Sequence, residues 1–177
     1  GLGMCVPISV NLSAHNLRDI QFSEQLAAIF QEVPHAARCR ICLEITETAM
    51  MGDSAHALNI LHAMNDMGIV SSIDDFGTGY SSLAYIKRLP VNELKIDKSF
   101  VMGMSIDEND AVIVRSTIDL AHNLGFKVVA EGVEDEVTYN MLAKLGCDVA
   151  QGYYISRPLP PADVETWLRR DSRWSLD

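Results

Sequence analysis

The chain has 177 residues, 24 acidic and 14 basic side chains, a net charge of -10 and 48% hydrophobic residues. That composition suits one sizeable core and a single domain over 1–177, excludes low-complexity disorder, and lacks the basic face that a DNA or RNA duplex requires. No apolar stretch of about 18 residues offers a membrane span, the first residues lack the charged region of a signal peptide, and four cysteines fit a reduced, cytoplasmic segment.

In chain order, short Val- and Ile-rich runs alternate with amphipathic stretches. The runs at 6–12, 41–46, 69–76, 93–97, 127–133 and 149–155 are expected to be buried strands. The first predicted helix covers 22–33 and stops before Pro34. A second begins at Asp53 or Ser54, carries Leu58, Leu61, Met64 and Met67 on one face, and closes at Gly68. Further helices are expected over 107–124, closed by Gly125, and over 135–145, closed by Gly146. Pro161 suits the first turn of a last helix carrying Val164, Trp167 and Leu168. Six β-α units in a row imply a parallel sheet, either open and doubly wound or part of a (β/α)8 barrel. No G-x-G-x-x-G follows the first strand, so a dinucleotide fold has no support.

Polar residues finish these strands. Asn11 ends the first, Glu44 lies within the second, Asp74 and Asp75 end the third, Lys95 and Asp97 the fourth and Glu131 the fifth, and Gln151 lies at or past the end of the sixth. A lone acid at a strand end is ordinarily a helix cap or a solvated loop residue. Five inside successive apolar runs form a pattern, because burying Glu44 between Leu43 and Ile45 without a partner would cost several kcal/mol. At one mouth of a parallel barrel, Asn11, Glu44, Asp74, Asp75 and Glu131 supply oxygen ligands for a hard cation such as Mg²⁺ or Mn²⁺. Adjacent strand residues point to opposite sides, so Asp74 and Asp75 are expected to serve two different metals. Paired metals are a known device for phosphate-ester cleavage. Lys95 is read either as the partner of a carboxylate or as a cation that orients water.

The segment Asp74-Asp75-Phe76-Gly77-Thr78-Gly79-Tyr80-Ser81-Ser82-Leu83 resembles the signature loop of EAL domains, the bacterial cyclic di-GMP phosphodiesterases. Asn11-Leu12-Ser13, Glu44-Ile45-Thr46-Glu47, Leu94-Lys95-Ile96-Asp97, Ala130-Glu131-Gly132-Val133-Glu134 and Gln151-Gly152-Tyr153-Tyr154 follow the family's order. The resemblance implies a TIM-like (β/α)8 barrel that opens cyclic di-GMP to linear pGpG with two divalent cations, Mg²⁺ or Mn²⁺. It implies that Asn11, Glu44, Asp74 and Glu131 bind one metal and Asp75 the second, with Asp97 near that second site. Lys95 would position or activate the attacking water, and Glu131 would take a base role. Gln151 and Glu134 would line the substrate or water site. Glu47 would hold the loop of Gly77 and Gly79, which couples the metal site to a homodimer.

The family's Glu-x-Leu strand and the Arg that follows it have no counterpart upstream of Asn11. Six units at about 30 residues each fall two units short of a barrel of about 250 residues. The expectation is an incomplete barrel of about six βα units, the first two missing, whose own hydrolysis is slow or nil although its parent domain is competent. Open edges would make it pair or lose solubility. Sensory or membrane domains belong to the parent rather than to this segment. The rival functions are a non-catalytic cyclic di-GMP receptor and a dimerisation module.

Three weaker signals remain. Cys39 and Cys42 form a lone C-x-x-C beside His35 with no second pair, so Cys42 is read as a buried thiol rather than a zinc ligand. The histidines show no H-E-x-x-H and no His-Asp pair. The run Ala111-Val112-Ile113-Val114 is read as core, or else as part of a dimer face.

Overall fold

The computed structural model describes residues 7–33, 41–50, 54–79 and 82–170. Six parallel strands form one sheet in strict chain order: β1 (Ile8–Leu12), β2 (Ile41–Thr46), β3 (Val70–Phe76), β4 (Glu93–Ile96), β5 (Lys127–Ala130) and β6 (Val149–Ala150). Consecutive neighbours throughout, with no point of reversal, match an arc of a (β/α)8 barrel and not a doubly wound sheet.

The connecting helices are α1 (Phe22–Glu32), α2 (Glu47–Met50), α3 (Ser54–Asp66), α4 (Leu83–Ile86), α5 (Lys98–Gly103), α6 (Glu108–Asn123), α7 (Glu136–Lys144) and α8 (Pro161–Arg170). The long helices fall where their periodicity places them. Asp107 caps α6 by accepting from the Asn109 N–H at 2.8 Å, and Asp135 caps α7 by accepting from the Thr138 N–H at 2.8 Å. Gly68, Gly125 and Gly146 take positive φ just past α3, α6 and α7. Asp53 and Pro34 lie outside the described residues, and so do Cys39 and His35.

The strands are not apolar on both faces. Leu43, Ile45, Ile73, Leu94, Ile96, Val128 and Ala130 join Ile60, Leu61, Met64, Val114 and Ile118 in one core between sheet and helices. The alternate residues, Glu44, Asp74 and Lys95 among them, meet one another on the other face. Glu44 is therefore not buried between Leu43 and Ile45; the pleat sends those neighbours the opposite way. The sixth run is strand only at Val149–Ala150, because the chain then docks by backbone onto the segment after β5. Gln151 N–H donates to Ala130 O at 2.8 Å, and Val133 N–H donates to Gln151 O at 3.0 Å. A Cβ at Gly152 would lie 2.7 Å from the Val133 carbonyl carbon, so only glycine fits this crossing.

Candidate active site

The site lies at the carboxyl ends of the strands. Lys95 is 4% exposed and donates to three carboxylates: Glu131 Oε1 at 2.6 Å, Glu44 Oε2 at 2.9 Å and Asp74 Oδ1 at 3.0 Å. Burial alone would lower its pKa, but the hydrogen bonds it donates to Glu131, Glu44 and Asp74 outweigh burial and hold the ammonium above its ordinary range. One cation shared by three acids leaves a surplus of negative charge. Glu131 accordingly sits above the usual carboxylate range, pushed up by burial and by Asp74 and Glu44 against the pull of Lys95.

Asp74 and Asp75 do not diverge as strand neighbours should. Between Ile73 and Phe76 the β3–β4 register slips, with three steps on β3 matching two on β4, so the pair sits in a bulge. Asp75 takes φ +55°, the left-handed region, and its N–H donates to Asp74 Oδ1 at 3.1 Å. Asp74, Asp75 and Glu131 each bring a carboxylate oxygen within 4.8 Å of the others. Hard oxygen donors packed this closely fit a divalent cation of the Mg²⁺ or Mn²⁺ kind. Asp75 is raised by burial and by the charges of Asp74 and Asp97, a repulsion that a cation would relieve.

The other sequence candidates surround this trio. Asn11 is exposed on β1 directly opposite Glu44 in register, and Glu44 is committed to Lys95. Asp97 caps α5, accepting from the Ser99 N–H at 2.9 Å and from the Ser99 hydroxyl. Neither Glu44 nor Asp97 joins the trio within 4.8 Å. Glu47 is buried at 2% exposure, and its Oε2 accepts from the Gly77 N–H at 3.1 Å and the Gly79 N–H at 3.2 Å. Its carboxylate thus pins the loop after β3. Gly77 needs its φ of +99°, and a Cβ at Gly79 would press to 2.8 Å from the Glu47 carboxyl. Gln151 and Glu134 line a cleft of about 540 Å³ that opens beside Glu131, with Lys98, Met102 and Tyr153 on its other walls.

The EAL domain model matches residues 4–158. The chain belongs to the EAL domain family. It is 41% identical over 162 residues to the cyclic di-GMP phosphodiesterase NbdA of Pseudomonas aeruginosa, covering 92% of this chain and 21% of that protein. It is 43% identical over 159 residues to the bifunctional diguanylate cyclase/cyclic di-GMP phosphodiesterase MucR of the same organism, covering 86% and 22%. The chain thus spans about a fifth of the length of these curated relatives. Among solved structures it superposes on the PaMucR phosphodiesterase in complex with c-di-GMP, with a TM-score of 0.82 and 41% identity, over 89% of this chain and 64% of that one. The EAL domain of Mycobacterium smegmatis DcpA gives a TM-score of 0.84 and 39% identity, over 93% and 73%. The six-stranded sheet is therefore part of the TIM-like barrel of EAL domains.

Within this EAL chain, sequence reasoning passed over Lys98, Met102 and Tyr153 as cleft residues. Their signal is weak: they sit just past strand ends, on segments whose helical turns are too short to show periodicity. The sequence carries no His-Asp motif, but the fold brings one His and one Asp together from distant positions. His122 Nε2 lies 2.8 Å from Asp148 Oδ2, which also accepts from the Val128 N–H at 2.8 Å. The two residues stand 26 positions apart, at the end of α6 and just before β6, so no local motif marks them. They clamp the amino end of the sheet, opposite the carboxylate trio. Cys42 is buried and its thiol is pushed up to about 12 by burial and by Glu93 and Glu44, as the buried-thiol reading expects. The 111–114 run divides: Val114 is in the core, whereas Val112 and Ile113 are exposed.

Proposed function

We propose that this EAL chain carries the hydrolytic site for cyclic di-GMP, opening one phosphodiester of the ring to give linear pGpG. The observation that carries the reading is the convergence of Asp74, Asp75 and Glu131, whose carboxylate oxygens lie within 4.8 Å of one another, beside a lysine already bonded to three acids. NbdA and MucR are named cyclic di-GMP phosphodiesterases, and solved relatives hold c-di-GMP, which supports the same substrate here.

In this reading Asn11, Glu44, Asp74 and Glu131 hold one divalent cation and Asp75 holds a second, with Asp97 nearby. Bound Mg²⁺ or Mn²⁺ would supply Lewis-acid polarisation of a phosphoryl oxygen and a more acidic water. Glu44, Asp74, Asp75 and Glu131 bring about four negative charges, of which Lys95 offsets one, leaving a surplus that divalent cations would offset. The chain's own work is positional. Lys95 fixes the rotamers of Glu44, Asp74 and Glu131 together, so the acids cannot splay under mutual repulsion. Glu131 takes the base role toward the attacking water. Glu47 holds Gly77 and Gly79 in place, and through them the bulge that orients Asp74 and Asp75. Gln151 and Glu134 face the substrate in the cleft.

The same reading makes the working unit a homodimer, with the exposed Val112 and Ile113 as its apolar contribution. It also places the domain in a reducing cytoplasm, consistent with the free thiols Cys42 and Cys147. Among the described residues no helix is long and apolar enough to cross a membrane. Calorimetry with cyclic di-GMP, with and without Mg²⁺, followed by product analysis, tests the proposal. Metal-dependent appearance of pGpG supports it; binding without product supports a receptor, and no binding supports an interaction module.

A further inference from the structure

Cyclic di-GMP carries two phosphodiester charges, and the cleft beside Glu131 is lined by two acids, Glu131 and Glu134. Metal ions would offset Glu131 but not Glu134, so an anion entering the cleft gains from a further cation on its wall. Lys95 is not available, because Glu131, Glu44 and Asp74 already occupy it. Among the described residues, Lys98 is the one basic side chain lining the cleft. It is exposed, and among the described residues no carboxylate lies within 4.0 Å of its ammonium.

The stem of Lys98 is also positioned. Gly132, at φ +71°, lets the chain after β5 press against α5 so closely that a Cβ there would lie 2.5 Å from Lys98 Cβ and 3.2 Å from Lys98 Cα. Asp97 caps the same helix and fixes where Lys98 begins it. An ordinary solvated lysine needs neither constraint, nor a place on the wall of a cleft.

Building on the phosphodiester reading above, we propose that Lys98 is a substrate-binding residue that takes a phosphate oxygen of cyclic di-GMP at the mouth of this cleft. An ammonium–phosphate contact of this kind strengthens binding of the ground state and transition state alike, so it acts on KM more than on kcat. It is also weakened by salt, since the lysine is exposed.

The test measures kcat and KM for cyclic di-GMP with Mn²⁺, at low and high ionic strength, on the full natural protein. Lys98→Gln, Lys98→Arg and Lys144→Gln are compared; Lys144 lies on α7, outside the cleft, and controls for the lost charge. Lys98→Gln is expected to raise KM about tenfold while kcat stays within about threefold, and to flatten the salt dependence of KM. Lys98→Arg restores KM, which separates a charge effect from a folding defect, and Lys144→Gln matches wild type. An unchanged KM in Lys98→Gln, a fall in kcat alone, or an equal effect of Lys144→Gln overturns the inference while leaving the phosphodiesterase reading intact. A wild-type protein that releases no pGpG overturns both.

Discussion

Lys95 Nζ stands 2.6 Å from Glu131 Oε1, reaching from β4 to the residue just past β5, and the same ammonium also holds Glu44 and Asp74. Glu131 is therefore both a candidate metal ligand and a partner of the lysine that organises the other acids. Replacing that lysine with an apolar side chain leaves three half-buried carboxylates facing one another. Lys95→Met is expected to cost about 3 kcal/mol in the absence of divalent metal, read as a lower urea midpoint in EDTA. Excess Mn²⁺ should recover part of that loss by standing in for the missing charge. A variant as stable as wild type in EDTA would show that the acids do not depend on Lys95.

Glu47 is the single acceptor for two loop amides, Gly77 and Gly79. Glu47→Ala is expected to speed hydrogen exchange at those two amides by about tenfold or more, the scale of losing charge-assisted hydrogen bonds. Gly79→Ala should act on the same loop from the other side, because its Cβ would crowd the Glu47 carboxyl at 2.8 Å. Activity should fall in both variants while the core helices keep their protection. Unchanged exchange at Gly77 in Glu47→Ala would remove Glu47 from this role.

Asp148 and His122 give a pH prediction far from the acids of the site. Burial acts to raise the Asp148 pKa, but the His122 hydrogen bond, the Val128 N–H and the charges of His122 and Lys127 together hold it below the usual carboxylate range. A carboxylate lowered on folding contributes stability above its unfolded pKa and loses it as pH falls through the lowered folded value. Asp148→Asn should therefore lower the melting temperature near neutral pH by a small amount, because the pair is about two-fifths exposed and worth at most about 1 kcal/mol. The difference from wild type should vanish in strong acid. A difference that persists unchanged there would assign the effect to packing.

Much of the site was legible because parallel strands all deliver their last residues to one end. The order of Asn11, Glu44, Asp74, Lys95 and Glu131 along the chain is also their order around the sheet. The Asp74–Asp75 geometry was not legible. The alternation of a regular strand separates adjacent side chains, and only the bulge and the positive φ of Asp75 bring both acids to Glu131. Asp97 shows the opposite case: an acid in the right place at a strand end spends an oxygen on capping α5. The helices α2, α4 and α5 are four to six residues long, too short for a periodic pattern, and so the wall formed by Lys98 and Met102 went unseen. The residues 149–155 read as strand from their Val, Tyr and Ile content, and tertiary docking of Gly152 on Val133 decided otherwise.

The central claim is that Asp74, Asp75 and Glu131 assemble a metal-dependent phosphodiesterase site for cyclic di-GMP. The most direct measurement is chromatographic detection of pGpG from cyclic di-GMP by the metal-stripped full natural protein, by the same protein given Mn²⁺, and by its Asp75→Asn variant given Mn²⁺. The account predicts product only in the second sample, with turnover in Asp75→Asn reduced at least about a hundredfold. Product from the stripped protein, or wild-type turnover by Asp75→Asn, would contradict it.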